Sequence, residues 1–397
     1  MKQQYNVVIA SFLGWTIDAF DFFLLIFVMA DIAKEFGSTV KVVSWAITLT
    51  LGLRVVGALV FGRLADRLGR KPVLMANILL FSILECASGF APTLTAFLVL
   101  RALFGIAMGG EWGIGASLTM ESIPTQWRGF VSGLLQSGYS FGYLLAALAF
   151  GVGFGTLGWR GLFIIAIVPA LLILYIRSNV SESPAWRALH QQAVEPDPSR
   201  PSRGRYRRYV YAIALMAAAA TFSHGTQDLY PTFLRVHHGF SVHQVSVIAI
   251  IYNIGAIFGC LCGGTLSQWL GRRRELALAA LLALALMPFW AGASGTIGLA
   301  GTAFCMQFLV QSMFGAMPAH LNEISPRESR ATFPGFTYQF GNFLAAGNAT
   351  IQVALSDRLN GHFGMAMALV AGTGAIALVL LATFGPEARE VRMMEAS

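Results

Sequence analysis

Long apolar stretches recur along the whole chain, separated by short polar breaks in which the charged side chains gather. Six stretches mark the first half, at residues 7–30, 44–62, 73–90, 95–118, 130–154 and 161–176. Six more mark the second, at 209–233, 242–265, 276–293, 297–320, 332–355 and 363–384. A helix of roughly 20 apolar residues crosses a hydrocarbon layer of about 30 Å, so each stretch predicts one membrane-spanning helix. The first lies close behind Met1 and has no small-residue cleavage site, so it reads as a retained helix, not a signal peptide. Residues 177–208 are rich in Pro, Ser, Arg and Glu, the composition of a linker. The expected organisation is an all-α integral membrane protein. It has a six-helix bundle over 1–176, a hydrophilic linker over 177–208, and a second six-helix bundle with a short tail over 209–397.

Composition narrows the class further. Hydrophobic residues make up 56% and charged residues 12%, with a mean hydropathy of +0.65. Soluble domains carry about 25% charged residues. A soluble enzyme, a secreted disulfide scaffold and a disordered chain are excluded. The formal charge of +8 does not call for nucleic acid, because the basic residues are unevenly placed. With both termini and the linker on one side, 20 of the 27 Lys and Arg fall there, Arg389 and Arg392 included, and five fall on the other side. Arg54 and Arg101 lie within stretches. Basic loops mark the cytoplasmic face. The reading is a multi-pass plasma-membrane protein (inner membrane in a bacterium), monomeric, with both termini cytoplasmic. Cys86, Cys260, Cys262 and Cys305 sit in apolar stretches, so neither a disulfide framework nor a metal site is expected, and no cofactor is called for. Gly151-x-Gly153-x-Gly155 has no strand before it and no Walker-type lysine follows, so nucleotide chemistry is unsupported.

The halves repeat at an offset of 202 residues. Gly62-Arg-Leu-Ala-Asp66-Arg-Leu-Gly69-Arg70-Lys71 precedes the third stretch, and Gly264-Thr-Leu-Ser-Gln268-Trp-Leu-Gly271-Arg272-Arg273 precedes the ninth. Glu121, Pro124 and Arg128 recur as Glu323, Pro326 and Arg330. Parallel six-helix repeats are a transporter architecture with the site between them near mid-membrane. The Gly62–Lys71 segment resembles the loop 2–3 signature of the major facilitator superfamily. That resemblance implies a gating and structural role for Gly62, Asp66, Gly69 and Arg70. Asp66 would accept hydrogen bonds from a neighbouring helix end, and Gln268 in the other half would make the gate electrostatically asymmetric.

Ionisable side chains within spans are costly and usually functional. They are Asp18, Asp21, Arg54, Glu85, Arg101, Glu111, His224 and Asp228. Arg54, near mid-membrane, is the best anion ligand, since a guanidinium can grip a carboxylate with two hydrogen bonds. Its alternative is a standing ion pair with Asp18 or Asp21. Glu85 lies on a peripheral span and reads as structural. Arg101, near a span end, reads as snorkelling. Asp18 and Glu111 are candidates for proton coupling or for buried helix pairs.

Thr221-Phe222-Ser223-His224-Gly225-Thr226-Gln227-Asp228-Leu229-Tyr230-Pro231-Thr232 resembles the span 7 signature of the Jen-type lactate permeases, in the sialate:proton symporter family. Ala220 stands where that signature has Asn. His224 and Asp228 are four apart and share a helix face, and an imidazole beside a carboxylate can exchange a proton near neutral pH. Ser223 and Gln227 form a second polar pair. Gly14–Phe22, Arg101–Trp112 and Tyr338–Asn342 also resemble that family's spans 1, 4 and 11. Gln339 and Asn342 are three apart, so both amides could reach one carboxylate, or else tie helices together.

The resemblance implies a substrate site of Arg54, Gln339, Asn342, Gln227, Asp21 and Tyr139, and proton coupling through His224, Asp228, Asp18 and Glu111. The implied activity is proton-coupled symport of short monocarboxylates such as lactate and pyruvate. The partners are a small carboxylate anion, a proton and the lipid bilayer. The alternative substrate is sialate or another sugar acid, although carriers of that kind often add two central spans. A membrane-embedded enzyme would need a paired acid–base site at one depth, and a sensor a large extra domain; neither is evident.

Overall fold

The computed structural model describes residues 2–191 and 202–388. The middle of the linker and the tail from 389, with Arg389 and Arg392, lie outside the described residues. The described chain is helical with no strand, and twelve spans can be followed. Span 1 is Lys2–Glu35, span 2 Trp45–Leu68, span 3 Arg70–Gly89 and span 4 Leu94–Ser122. Span 5 begins the helix Arg128–Ile165, which is broken at Gly158, and span 6 follows that break and ends with Leu172–Asn179. Span 7 is Ser202–Gln227 continued by Tyr230–Val236, and spans 8, 9 and 10 are Val242–Leu270, Arg272–Ala291 and Gly295–Glu323. Span 11 is Thr332–Leu344 continued by Asn348–Arg358, and span 12 is Phe363–Phe384.

Hydropathy predicts spans 6, 7 and 11 as unbroken helices, and there the structure differs. Gly158 (φ 61°) turns spans 5 and 6 against each other without a loop, and a 3-10 turn, Val168–Leu171, interrupts span 6. Span 7 breaks at Asp228–Leu229, just before Pro231, whose missing N–H suits a helix start. Broken helices are tolerated at membrane depth only where neighbours satisfy the freed backbone. Gln352 Nε2 donates to the Gly225 carbonyl of the last turn at 2.7 Å, and Asn348 Nδ2 braces the preceding turn at the Thr221 carbonyl at 3.0 Å. Nine helices of the described chain are singly long and apolar enough to span; spans 6, 7 and 11 are assembled from pieces or fall short alone.

The packing repeats as the sequence does. Span 2 lies along span 4, as span 8 lies along span 10. The two six-helix bundles meet where span 2 packs on span 11 and span 8 packs on span 5. Gly69 (φ 108°) and Gly271 (φ 99°) occupy equivalent tight turns that side-chain-bearing residues disfavour. At Gly62 an added Cβ would meet Thr332 Cα at 2.7 Å, so the small residue sets the approach of span 2 to span 11. The first part of the linker is not a free tether. It forms a helix, Pro184–Gln191, and Trp186 Nε1 donates to the Asp66 carbonyl at 2.9 Å.

Candidate functional site

The expected site residues fall into two groups, one in each bundle. In the first, Arg54 extends from the middle of span 2 and its Nη2 donates to Asp18 Oδ2 of span 1 at 2.9 Å. Both are buried, at 6% and 0% exposure. The pairing uses one guanidinium nitrogen, and Arg54 Nε and Asp18 Oδ1 have no hydrogen-bond partner among the described residues. The Phe22 ring lies 5.8 Å from the guanidinium. Tyr139 of span 5 stacks on Trp15 at 5.6 Å and meets the edge of Phe23 at 5.1 Å. It lies within electrostatic reach of Arg54, Asp18 and Tyr338, and of Asp228 in the other bundle.

In the second bundle, His224 Nδ1 lies 3.0 Å from Asp228 Oδ1 and 3.1 Å from Oδ2, with the side chains 31% and 33% exposed. The pair straddles the break in span 7, so a titratable contact sits where the helix changes direction. Gln227 Nε2 donates to Ser223 Oγ at 3.1 Å, the second pair expected from the spacing. Asn342 reaches the His224 ring and also donates to the Tyr338 carbonyl at 2.8 Å.

Several expectations need correction. Gln339 is buried with Nε2 unpartnered, while Asn342 Nδ2 is taken by the Tyr338 carbonyl of its own helix. Arg101 does not snorkel. It is 1% exposed, 2.5 Å from Glu85, bonded to Ser88 Oγ at 2.7 Å, and ringed by Phe104, Phe163 and Phe97 at 4.3, 5.1 and 5.7 Å. The acid at 2.5 Å and the aromatic faces around the guanidinium offset the cost of burying its charge, so the side chain turns inward and does not reach for water. Asp21 does not pair with Arg54. It is fully buried, within electrostatic range of Glu85, Asp18 and Arg101, and neither oxygen has a hydrogen-bond partner. Glu111 likewise lacks one, its carboxyl lodged in the notch left by Gly14. His320 is fully buried, with its ring nitrogen 3.4 Å from Tyr211 Oη.

The basic end is closed by contacts that follow the repeat. Asp66 Oδ1 and Oδ2 accept the Ala331 and Thr332 N–H groups at 2.9 and 3.1 Å, and Oδ2 the Thr332 hydroxyl at 2.6 Å. At the equivalent place Gln268 Oε1 accepts from Gly129 N at 3.0 Å. Arg70 grips Glu121 with Nε and Nη2 at 3.2 and 3.1 Å, and Arg272 grips Glu323 at 3.0 and 2.9 Å. Ser183 Oγ also bonds Glu121. The two Arg–Glu forks were legible in principle, since all four residues share the repeat offset.

Solved transporter structures share this fold. The solved proton:xylose symporter XylE, bound to 6-bromo-6-deoxy-D-glucose, superposes with a TM-score of 0.77 at 19% identity, covering 97% of this chain and 96% of that one. The human organic anion transporter MFSD10 gives a TM-score of 0.73 at 16% identity over 96% and 100%. Among curated sequences, a carboxylic acid transporter protein homolog of Saccharomyces cerevisiae is 29% identical over 90% of this chain, which spans 62% of the yeast protein's length. A probable 4-methylmuconolactone transporter of Cupriavidus pinatubonensis is 29% identical over 98% of this chain and 92% of that protein. The sialic acid transporter NanX of Escherichia coli is 25% identical over 96% and 94%. The family model "Major Facilitator Superfamily" matches residues 11–347, and this chain belongs to that superfamily of multi-pass membrane transporters.

Proposed function

We propose that the protein is a proton-coupled importer of short monocarboxylates such as lactate and pyruvate, working by alternating access as a monomer with both termini cytoplasmic. The observation that carries this reading is Arg54, a buried guanidinium near mid-membrane bound by Asp18 through a single nitrogen. A small carboxylate can take Nη2 from Asp18 and add a bond to the unpartnered Nε, the paired geometry at which arginine excels. Tyr139 and Asn342 flank the path between Arg54 and the His224–Asp228 pair, where the coupling proton is held. Moving a lone anion into an inside-negative compartment costs about 2.3 kcal/mol per 100 mV. A proton carried on the same stroke cancels that charge. Binding of the anion and of the proton then favour each other, as linkage requires.

A sugar acid is the second reading, favoured by the similarity to NanX along nearly the whole chain. Counterflow of labelled lactate, pyruvate and sialate in proteoliposomes separates the two. Exchange of lactate and pyruvate, abolished by Arg54→Ala and severely weakened by Arg54→Lys, is the expected result. Exchange of sialate alone selects the second reading. Normal lactate affinity in purified Arg54→Ala overturns the assignment of Arg54.

A further inference from the structure

His224 and Asp228 are both half-buried, at the end of a helix that stops at Gln227. The carbonyls of a last helical turn have no partner in their own helix, and such a turn frays unless something else bonds them. Asp228 N still donates to the His224 carbonyl at 3.2 Å. The next carbonyl, that of Gly225, would take the N–H of Leu229 in an unbroken helix. Here Gln352 of span 11 serves it instead. Gln352 is fully buried, and its Nε2 lies 2.7 Å from the Gly225 oxygen.

The other residues between His224 and Asp228 are held as well. Gln307 of span 10 is buried, and its Nε2 donates to Thr226 Oγ1 at 3.1 Å. That hydroxyl donates in turn to the Ser223 carbonyl at 2.9 Å. Gln227 Nε2 is taken by Ser223 Oγ. A Cβ on Gly225 would lie 2.7 Å from Ala371 Cα, so a glycine is what lets span 12 approach here. Residues 225, 226 and 227 are therefore each anchored: to spans 11 and 12, to span 10, and to span 7 itself. Among the described residues, no hydrogen bond runs from Gln352 or Gln307 to His224 or Asp228.

We propose that Gln352 and Gln307 are positioning residues for the His224–Asp228 pair. Their amides keep the last turn of span 7 wound up to the break, with both titratable side chains on one face. Without the Gln352 amide a buried carbonyl is left unpaired. Water reaching the half-buried pair then competes for it, the turn unwinds from its end, and Asp228 leaves its place beside His224. Gln307 acts through the Thr226 hydroxyl, which gives that residue of the Thr221–Thr232 segment a role of its own. Only the consequence for transport rests on the pair being the proton site, as proposed above; the positioning does not.

The test measures how strongly His224 feels Asp228, and needs no substrate. The full chain, carrying ring-labelled histidine, is purified in detergent, and the His224 signal is identified by its loss in His224→Gln. Its titration midpoint is read by NMR with and without Asp228→Asn. Tyr139 and Tyr252 also lie within electrostatic reach of Asp228 and stay constant throughout. With Gln352 and Gln307 intact, removing Asp228 moves the midpoint by about one pH unit or more. In Gln352→Met the same removal moves it less than half as far. Gln307→Met and Thr226→Val lose coupling in the same sense, whereas Thr226→Ser, which keeps the hydroxyl, retains it. A full-sized movement in Gln352→Met overturns the proposal. If that variant does not fold, Gln307→Met and Thr226→Val are read in its place, and full coupling in both overturns it. So does the absence of any movement in the native background, since there is then no pair to position. In liposomes with an inward pH gradient, Gln352→Met should accumulate lactate about tenfold less while counterflow persists. Lost coupling with native accumulation upholds the positioning and removes the proton-site reading; full coupling removes the positioning whatever the transport result.

Discussion

Replacing Asp18 by asparagine separates two roles that a carboxylate beside Arg54 can have. In the structure Arg54 Nη2 donates to Asp18 Oδ2 at 2.9 Å with both groups buried. A hydrogen bond between charged partners contributes about 1.5–3 kcal/mol. If a substrate carboxylate has to take the guanidinium from Asp18, that amount is subtracted from its binding. Asparagine keeps the shape, removes the competing charge and leaves Arg54 as an uncompensated cation. At about 1.4 kcal/mol per factor of ten, Asp18→Asn should bind lactate or pyruvate about 10- to 100-fold more tightly. Titration calorimetry on purified protein measures this directly. Asp21→Asn is the control: Asp21 has no contact with Arg54, so its affinity should stay near the native value. Equal or weaker binding by a folded Asp18→Asn protein would refute displacement and make Asp18 a positioning partner of Arg54.

Asp228→Asn, which keeps the shape of a residue 3.0 Å from His224, should abolish accumulation driven by an inward pH gradient while counterflow survives. Gradient-driven uptake at native levels in both Asp228→Asn and His224→Ala would move the proton site elsewhere. Arg101→Met strands Glu85 in the interior and should lower stability by about 3–5 kcal/mol, whereas Glu85→Leu together with Arg101→Met should recover most of it among Phe97, Phe104 and Phe163. Thermal melting of the three proteins decides, and a single variant that melts like the native protein excludes a stabilising pair. Gly62→Leu should hold span 2 away from Thr332 and favour states open at the basic end, read as faster labelling of a thiol at Ser117. For topology, cysteines at Thr93 and at Ser199, which lies outside the described residues, should react from opposite sides of the membrane.

The membrane class, the helical spans, their repeat at a fixed offset and the His224–Asp228 contact were all legible in the chain. Each depends on short-range facts: the transfer of a segment into lipid, or the 3.6-residue turn that stacks position i on i+4. Tertiary structure decided the rest. Hydropathy averages over a window and cannot sense a break that a distant side chain repairs, as Gln352 does at the Gly225 carbonyl of span 7. Arg101 lies near a span end and would snorkel on an isolated helix, but the approach of spans 3 and 6 supplies Glu85 and Phe163 and draws it inward. Gln339 and Asn342 share a face in sequence, yet packing leaves Gln339 Nε2 buried and unpartnered while the Tyr338 carbonyl takes Asn342 Nδ2. Arg54 had two candidate acids one turn apart, and only the packing of span 2 on its neighbours selected Asp18. The Gln136–Tyr338 contact joins unlike residues at equivalent positions, so neither side chain forecasts the other. A spanning helix is a property of one segment against lipid, whereas a site or a gate is a property of two surfaces, and their relative placement is fixed only when the bundles close.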